Sequence, residues 1–482
     1  MAVDSQHPEY QYYAPIWTMI DDFVMGEKQV KERGILYLPF REKWTAQTYL
    51  DFKESAPFTN FTVRTINALL GSMFTKDPYV SLAEPINYLL DNADGRGNGL
   101  NQLVRRLGLE TIKKGRAGVL VDYPRVLADS GERKPSIAQT ENLKATIALY
   151  DGMKIINWKE DDKGLTLVVL AEIIETRYDD FEAELEIQYR VLRKVNGVYT
   201  VELWRDNVMT DSYTPRDARG KTFDTIQFFF NGSVNNDATC DSSPVYEIVS
   251  KNKTHYQLEA EIMRNIRLVG APMLTISIGD MSPMQFLEIN GMADGSPLEY
   301  GSSRGLILGA QGSANLLQAT ANDMAQTKAD NVLKEAIMLG ARLVTKGGSS
   351  RVTAEQIRIE TSAENAVINS IAKNIEHTMI KVLSSVSLFM TGQILPSEFK
   401  MSTEFYAQSP DPQVLMFARE MLMSGLLAPK DMLDLLKNSG LIDTNRTMAD
   451  IMSEGKAYLD TLPKELEIES EAEVQTNIVQ PQ

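Results

Sequence analysis

Residues 353–391 place apolar side chains at Val367, Ile371, Ile375, Met379, Val382, Val386 and Phe389. That three-and-four spacing puts all seven on one face of a helix. The stretch "TAEQ" at 353–356 has the capping-box pattern, with Thr353 as cap and Gln356 reaching back. From Thr361 to Thr391 alone the rod is about 46 Å long at ~1.5 Å per residue. A chain that contains such a rod must build its domains around a spine.

The pattern elsewhere changes twice. Residues 1–110 read as helices, with Trp17, Ile20 and Val24 on one apolar face and Phe61, Thr65, Ala68 and Leu69 on another. β-rich runs follow at 116–124, 145–158, 165–177, 183–195, 199–206 and 225–232, with Asn196-Gly197 as a hairpin signal. Ser243-Pro244 starts a helix that runs to Leu268. A small β-rich insert occupies 269–317. A second helix follows, with Val332, Ala336, Ile337, Ala341 and Val344 as its apolar stripe. "EFKMSTEFYAQ" (398–408) reads as a strand, and Pro412 and Pro429 open helices in the terminal group. The fold class is α+β.

Several motif matches lack the context that their chemistry needs. "GSSRG" (301–305) fits the G-x-S-x-G pattern around Ser303, but a strand-like segment follows where a nucleophile elbow needs a helix. "RDARGKT" (216–222) ends like a P-loop, but Pro215 stands where the first glycine belongs. "DNADGRGNG" (91–99) lacks the alternating acids and distal Glu of a calcium loop. One cysteine, Cys240, and three scattered histidines make no zinc site and no disulfide within the chain. The expectation is a protein without catalysis, cofactor or metal. The opening "MAVDSQHPEY" has no secretion signal, the lone cysteine fits a reducing compartment, and no apolar run reaches membrane-spanning length.

Charge supplies the one positive clue. The chain carries a formal net charge of -16, against the basic footprint of a nucleic-acid coat. Yet between Gln326 and Arg351, Lys328, Lys334, Arg342, Lys346 and Arg351 face only Asp330 and Glu335. Lys251, Lys253 and Arg264 lie on the preceding helix. Lys346, Gly347, Gly348, Ser349, Ser350 and Arg351 form a basic, glycine-rich loop suited to transient phosphate contacts.

The order of these elements, with "YYAPIWTMIDDFVMGEKQVKERGILYLP", "GRAGVLVDYP", "IINW" and "HYQLEAEIMRNIRLVGAPML", resembles the portal proteins of tailed phages. The resemblance implies a wing at 1–240, a first stem helix at 241–268, a clip at 269–317 and a second stem helix at 318–344. It implies a tunnel loop at 345–352, a spine helix at 353–392, a closing wing strand at 393–409 and a crown at 410–462; the polar, acidic composition of 463–482 reads as a disordered tail. It further implies a twelve-subunit ring at one capsid vertex that passes double-stranded DNA without reading its sequence. The implied partners are the terminase large subunit, the head-tail adaptor and the major capsid protein, with no membrane. The implied location is the virion, after assembly in the host cytoplasm. The tunnel-loop residues 346–351 would touch DNA, and the cations Lys251, Lys253, Arg264, Lys328, Lys334 and Arg342 would line the stem or channel. The other readings are a virion structural or scaffold protein without a channel, and a serine hydrolase using Ser303.

Overall fold

A computed structural model describes residues 2–123, 143–178, 183–270, 273–292, 306–317, 323–340, 354–402 and 412–438, with a few single positions beyond. The chain divides into a unit from Met1 to Thr403 and a second from Glu404 to Gln482.

The larger unit begins with five helices: α1 (Pro8–Met25), α2 (Glu27–Arg33), α3 (Ala46–Ser55), α4 (Phe61–Met73) and α5 (Leu100–Lys114). Trp17, Ile20, Phe61, Thr65 and Leu69 are buried as their spacing predicts. Val24 and Ala68 sit at the edge of that face and are only partly covered. A buried carboxylate fastens α1, α2 and the turn after α2 together. Asp22 accepts from Tyr37 Oη at 2.6 Å, Arg33 Nε at 2.9 Å and Gln29 Nε2 at 2.9 Å.

Strands β1 (Tyr79–Ser81), β2 (Arg116–Asp122), β3 (Thr146–Asp151), β4 (Ile155–Asp161), β5 (Gly164–Tyr178), β6 (Ala183–Val195), β7 (Val198–Arg205), β8 (Val208–Tyr213) and β9 (Phe228–Gly232) follow. Strands β2 to β9 form a three-stranded antiparallel sheet, β3-β2-β9, and a five-stranded meander, β4 to β8, while β1, which lies between α4 and α5, belongs to neither. The sequence run 145–158 is two strands rather than one. A 3-10 turn at Gly152–Lys154 divides it, with Gly152 against the Trp17 indole. Asn196 and Gly197 both take positive φ, as the hairpin signal requires. A second turn of that kind, at Asp206 and Asn207, adds β8. Without a glycine it gave no comparable signal in the sequence.

A charged network joins the two sheets. Arg190 of β6 donates from Nε to Glu172 Oε1 at 2.8 Å and from Nη1 to Asp122 Oδ2 at 2.9 Å. Tyr150 Oη of β3 also donates to Glu172.

Next come α6 (Tyr246–Gly270), β10 (Met273–Ser277), α7 (Pro283–Ile289), β11 (Ser313–Leu317), α8 (Met324–Met338), α9 (Ala354–Thr391) and β12 (Glu398–Lys400). The insert is less β-rich than its sequence suggested. "MQFLEI" belongs to helix α7, capped by a reciprocal Ser282–Gln285 box. That capping box carries the local signal, and Pro283 at the first turn reinforces it. β12 pairs antiparallel with β1, so the closing strand returns to the N-terminal region.

Helix α9 has 38 residues, about 57 Å at ~1.5 Å per residue. Ile371, Ile375, Met379, Val382, Val386 and Phe389 are buried, whereas Val367 is 41% exposed and Ile368 takes the inward place. The helix lies along β9 and its flanks. Asn374 Nδ2 donates to Gly232 O at 2.9 Å, Thr378 Oγ1 to Phe230 O at 3.3 Å and Ser385 Oγ to Gln227 Oε1 at 2.6 Å. The Thr353 cap lies outside the described residues.

In the second unit, α10 (Pro412–Met423) and α11 (Pro429–Asn438) begin at the two prolines. The predicted tail at 463–482 lies outside the described residues.

Candidate functional site

The region that concentrates the predicted contact residues is the pair α6 and α8. On α6, Ile248, Val249, Asn252, Tyr256 and Ala260 are buried at helical spacing. On α8, Ala329, Val332 and Ala336 are buried, and Ala341 and Val344 lie outside the described residues. Phe61 of α4, Ile248 and Ala336 share one apolar cluster with Leu333 packed against it. Lys251 near the start of α6 pairs with Glu335 near the end of α8, so the helices run antiparallel.

The start of α6 is anchored in the body. Ser243 Oγ donates to Lys113 O at 2.6 Å and accepts from Val245 N–H at 3.3 Å. The regular helix begins at Tyr246, two residues later than the Ser-Pro signal suggests, and runs to Gly270. Asn252 reaches into α4. Its Oδ1 accepts from the Thr62 hydroxyl and N–H, and its Nδ2 donates to Thr59 O at 2.9 Å. The sequence did carry a signal for Asn252, a polar residue in an apolar helical stripe.

At the other end of the pair, α6 feeds β10 and β11 feeds α8. The two strands pair antiparallel from Met273 opposite Leu317 to Ser277 opposite Ser313. The insert therefore departs from one helix and returns to the other.

The predicted cations separate into two groups. Lys251 is engaged with Glu335, whose carboxyl its hydrogen bond and charge hold below the usual range. Arg264 lies 3.4 Å from Glu261 and over the Trp44 ring at 5.3 Å, where Arg41 also stacks. These two cations tie α6 to its surroundings. Lys253 is half-buried, while Lys328 and Lys334 are exposed on α8. With Met324, Thr327, Asn331 and Met338 they form the helix face opposite its buried stripe. Arg342, the loop residues Lys346, Gly347, Gly348, Ser349, Ser350 and Arg351, and Ser303 lie outside the described residues.

His255 is buried between α4, α6 and α8. Its ring meets Phe61 edge-on at 5.8 Å, and its Nε2 lies 3.6 Å from Glu259. Burial lowers its pKa, partly countered by Glu259 and Asp330. Among the described residues, no group of His, Cys, Asp or Glu is arranged to hold a metal ion, and no helix is long and apolar enough to cross a membrane.

Residues 244–390 match the family model described as "Domain of unknown function (DUF4055)", which covers less than half of the chain. No curated protein matches. Among solved structures, the chain is similar to one from the virion of a native gene transfer agent (GTA) particle, at 11% identity and a TM-score of 0.39, covering 84% of this chain and 98% of that one. It is also similar to one from the neck of an empty GTA particle computed with C6 symmetry, at 12% identity and a TM-score of 0.42, covering 82% and 95%.

Proposed function

We propose that this chain is a portal-type subunit, a ring-forming conduit for double-stranded DNA with no catalytic step of its own. The observation that carries this reading is the antiparallel pair α6–α8. It is rooted in the helical body by Asn252, extended by the β10–β11 insert and followed by the 38-residue α9 embedded against β9. A ring of such pairs would surround a bore, with the β10–β11 insert at one mouth.

A conduit must let DNA slide. A net charge of -16 weakens adhesion to phosphates. A few exposed cations, Lys328 and Lys334 among them, supply brief and salt-sensitive contacts. In this reading the motor's ATP hydrolysis resides on a terminase subunit that docks at the insert. The head-tail adaptor takes that position later, the capsid protein surrounds the ring, and twelve is the expected copy number. The tunnel-loop role belongs to residues 345–352.

Electron microscopy of the purified full-length chain tests this reading. A closed ring with an open axial bore is expected. A stable monomer, or an assembly without a bore, overturns it.

A further inference from the structure

The five-stranded sheet has unequal strands. β5 has 15 residues and β6 has 13, whereas β4 has 7 and β7 has 8. β4 follows β5 as far as Leu170, and β7 follows β6 back to Tyr189. Beyond those pairs, 171–178 and 183–188 continue as a two-stranded ribbon. On one face Ile173 stands opposite Ile187, and Leu185 stands opposite Glu175. Ile173, Leu185 and Ile187 are 71%, 62% and 57% exposed. Glu175, on the same face, is also exposed. Over 173–187 the sequence carries six acidic residues and one cation, Arg177. A two-stranded ribbon is marginal in water by itself, and a bare apolar face on one marks a contact surface.

The opposite end of the same sheet carries a complementary surface, the turn that failed as a P-loop. Arg216, Arg219 and Lys221 are all exposed there. The turn's own acid, Asp217, is buried, and its Oδ1 accepts from the N–H groups of Arg219 at 2.9 Å and Lys221 at 2.7 Å. Arg216 and Arg219 donate to the carbonyls of Gly220 and Thr391, at 2.8 and 3.2 Å. The Arg219 side chain crosses Gly392 so closely that a Cβ there would lie 2.6 Å from it. The Ala218 N–H donates to Phe389 O at 2.9 Å. The turn is thereby fixed on the C-terminal end of α9, where the helix dipole favours cations. Ile394, two residues beyond Gly392, is 68% exposed.

The two surfaces cannot meet within one chain. The Tyr199 N–H donates to Phe223 O at 2.8 Å, next to the turn, and Tyr199 is paired with Lys194 of β6. Leu185 lies nine residues away along the same strand, about 30 Å at ~3.3 Å per residue.

We propose that the ribbon of one copy docks on the basic turn of the next. Ile173, Glu175, Leu185 and Ile187 would meet Arg216, Arg219, Lys221 and Ile394 of a second copy of this chain. Sign complementarity selects the partner, and the apolar side chains supply burial. Surfaces at opposite ends of one body associate head to tail, which closes into a ring or continues as a filament. The inference draws on the portal reading only in expecting closure.

The test uses the full-length chain and compares assembled fraction by mass photometry with bore formation by imaging. Two charge-reversed proteins are made: Arg216→Glu with Arg219→Glu, and Glu175→Lys. Each alone is expected to lose assembly by about tenfold or more, while a mixture of the two recovers it in alternation. Arg219→Cys mixed with Glu175→Cys should crosslink between copies under mild oxidation, a readout that survives if a charge reversal impairs folding. Unchanged assembly in both reversed proteins, no recovery on mixing folded proteins, or no crosslink overturns the proposal. So does lost binding of duplex DNA with assembly intact, which would assign the turn to nucleic acid. Rings that persist in both reversed proteins leave the portal reading standing. Charge-dependent filaments without a bore support the docking and remove the portal reading.

Discussion

The Asn252 amide oxygen accepts from both the hydroxyl of Thr62, at 2.9 Å, and its backbone N–H, at 3.2 Å. Both side chains are fully buried, so one residue of α6 satisfies the first turn of α4 where water is excluded. Asn252→Ala leaves the Thr62 N–H and Thr59 carbonyl without their partner, at about 1–3 kcal/mol for each unsatisfied group. Denaturant unfolding of the full chain should show a lower midpoint with little change in slope.

Lys114 is the buried hub of an ionic cluster. Its Nζ lies 2.9 Å from Asp21 Oδ2, 2.9 Å from Asp151 Oδ1 and 3.4 Å from Glu110 Oε2. Burial works against the Lys114 charge, but Asp151, Glu110 and Asp21 outweigh it and raise its pKa. Burial likewise favours a neutral Asp151, and Lys114 reverses that and holds the carboxyl below its ordinary value. Asp151 therefore contributes stability that is present above about pH 3.9 and is lost as pH falls through the lowered folded value. Lys114→Met should cost about 3–5 kcal/mol at neutral pH. Without Lys114, burial favours the protonated Asp151, so the deficit relative to the parent should shrink as pH falls through the Asp151 range, as followed by denaturant unfolding at each pH.

His255 gives the opposite kind of pH response. Its neutral form is favoured in the fold, by burial first. The unfolded chain takes up a proton near pH ~6.5, so stability should fall progressively as pH drops below that value. Glu259 on its own helix and Asp330 on α8 reduce the effect without reversing it. His255→Gln should flatten the dependence of unfolding free energy on pH between about 8 and 5. An equally steep profile in that variant would assign the proton uptake elsewhere.

Two glycines should respond in opposite directions to the same change. A Cβ at Gly118, in the centre of the β3-β2-β9 sheet, would stand 2.1 Å from the Phe228 ring and 3.0 Å from Ile155. Gly118→Ala should destabilise by about 1–3 kcal/mol through overpacking. Gly71 is exposed near the end of α4 with nothing within 4 Å of its Cβ position. Gly71→Ala should stabilise by about 0.5–1 kcal/mol. Thermal melts of the two variants and the parent decide both.

Lys328 and Lys334 are exposed on α8, opposite its buried stripe. If they line the bore, Lys328→Ala with Lys334→Ala should leave assembly unchanged and weaken binding of duplex DNA. The slope of log affinity against log salt should become shallower by about 0.9 for each lost phosphate contact per chain. An unchanged slope would remove them from the DNA path.

Periodicity determined the elements whose residues all face one environment. The α9 stripe from Ile371 to Phe389, the apolar faces of α1 and α4, the Asn196-Gly197 hairpin and the two proline-led terminal helices follow from spacing and local backbone preference. Local patterns were weaker where a short segment fitted two periods. α7 has a β-like run behind its capping box, and 145–158 is β-rich on both sides of the turn where Gly152 meets Trp17. Only the tertiary structure decided what the charges do. Lys251 and Arg264 looked like Lys328 and Lys334 in sequence, but the first two are spent on Glu335, Glu261 and Trp44. The turn that failed as a phosphate loop and the acidic ribbon are likewise separated by a sheet whose register no linear pattern specifies. A charge acts through its distance to other charges, and for residues far apart in the chain that distance is set by packing.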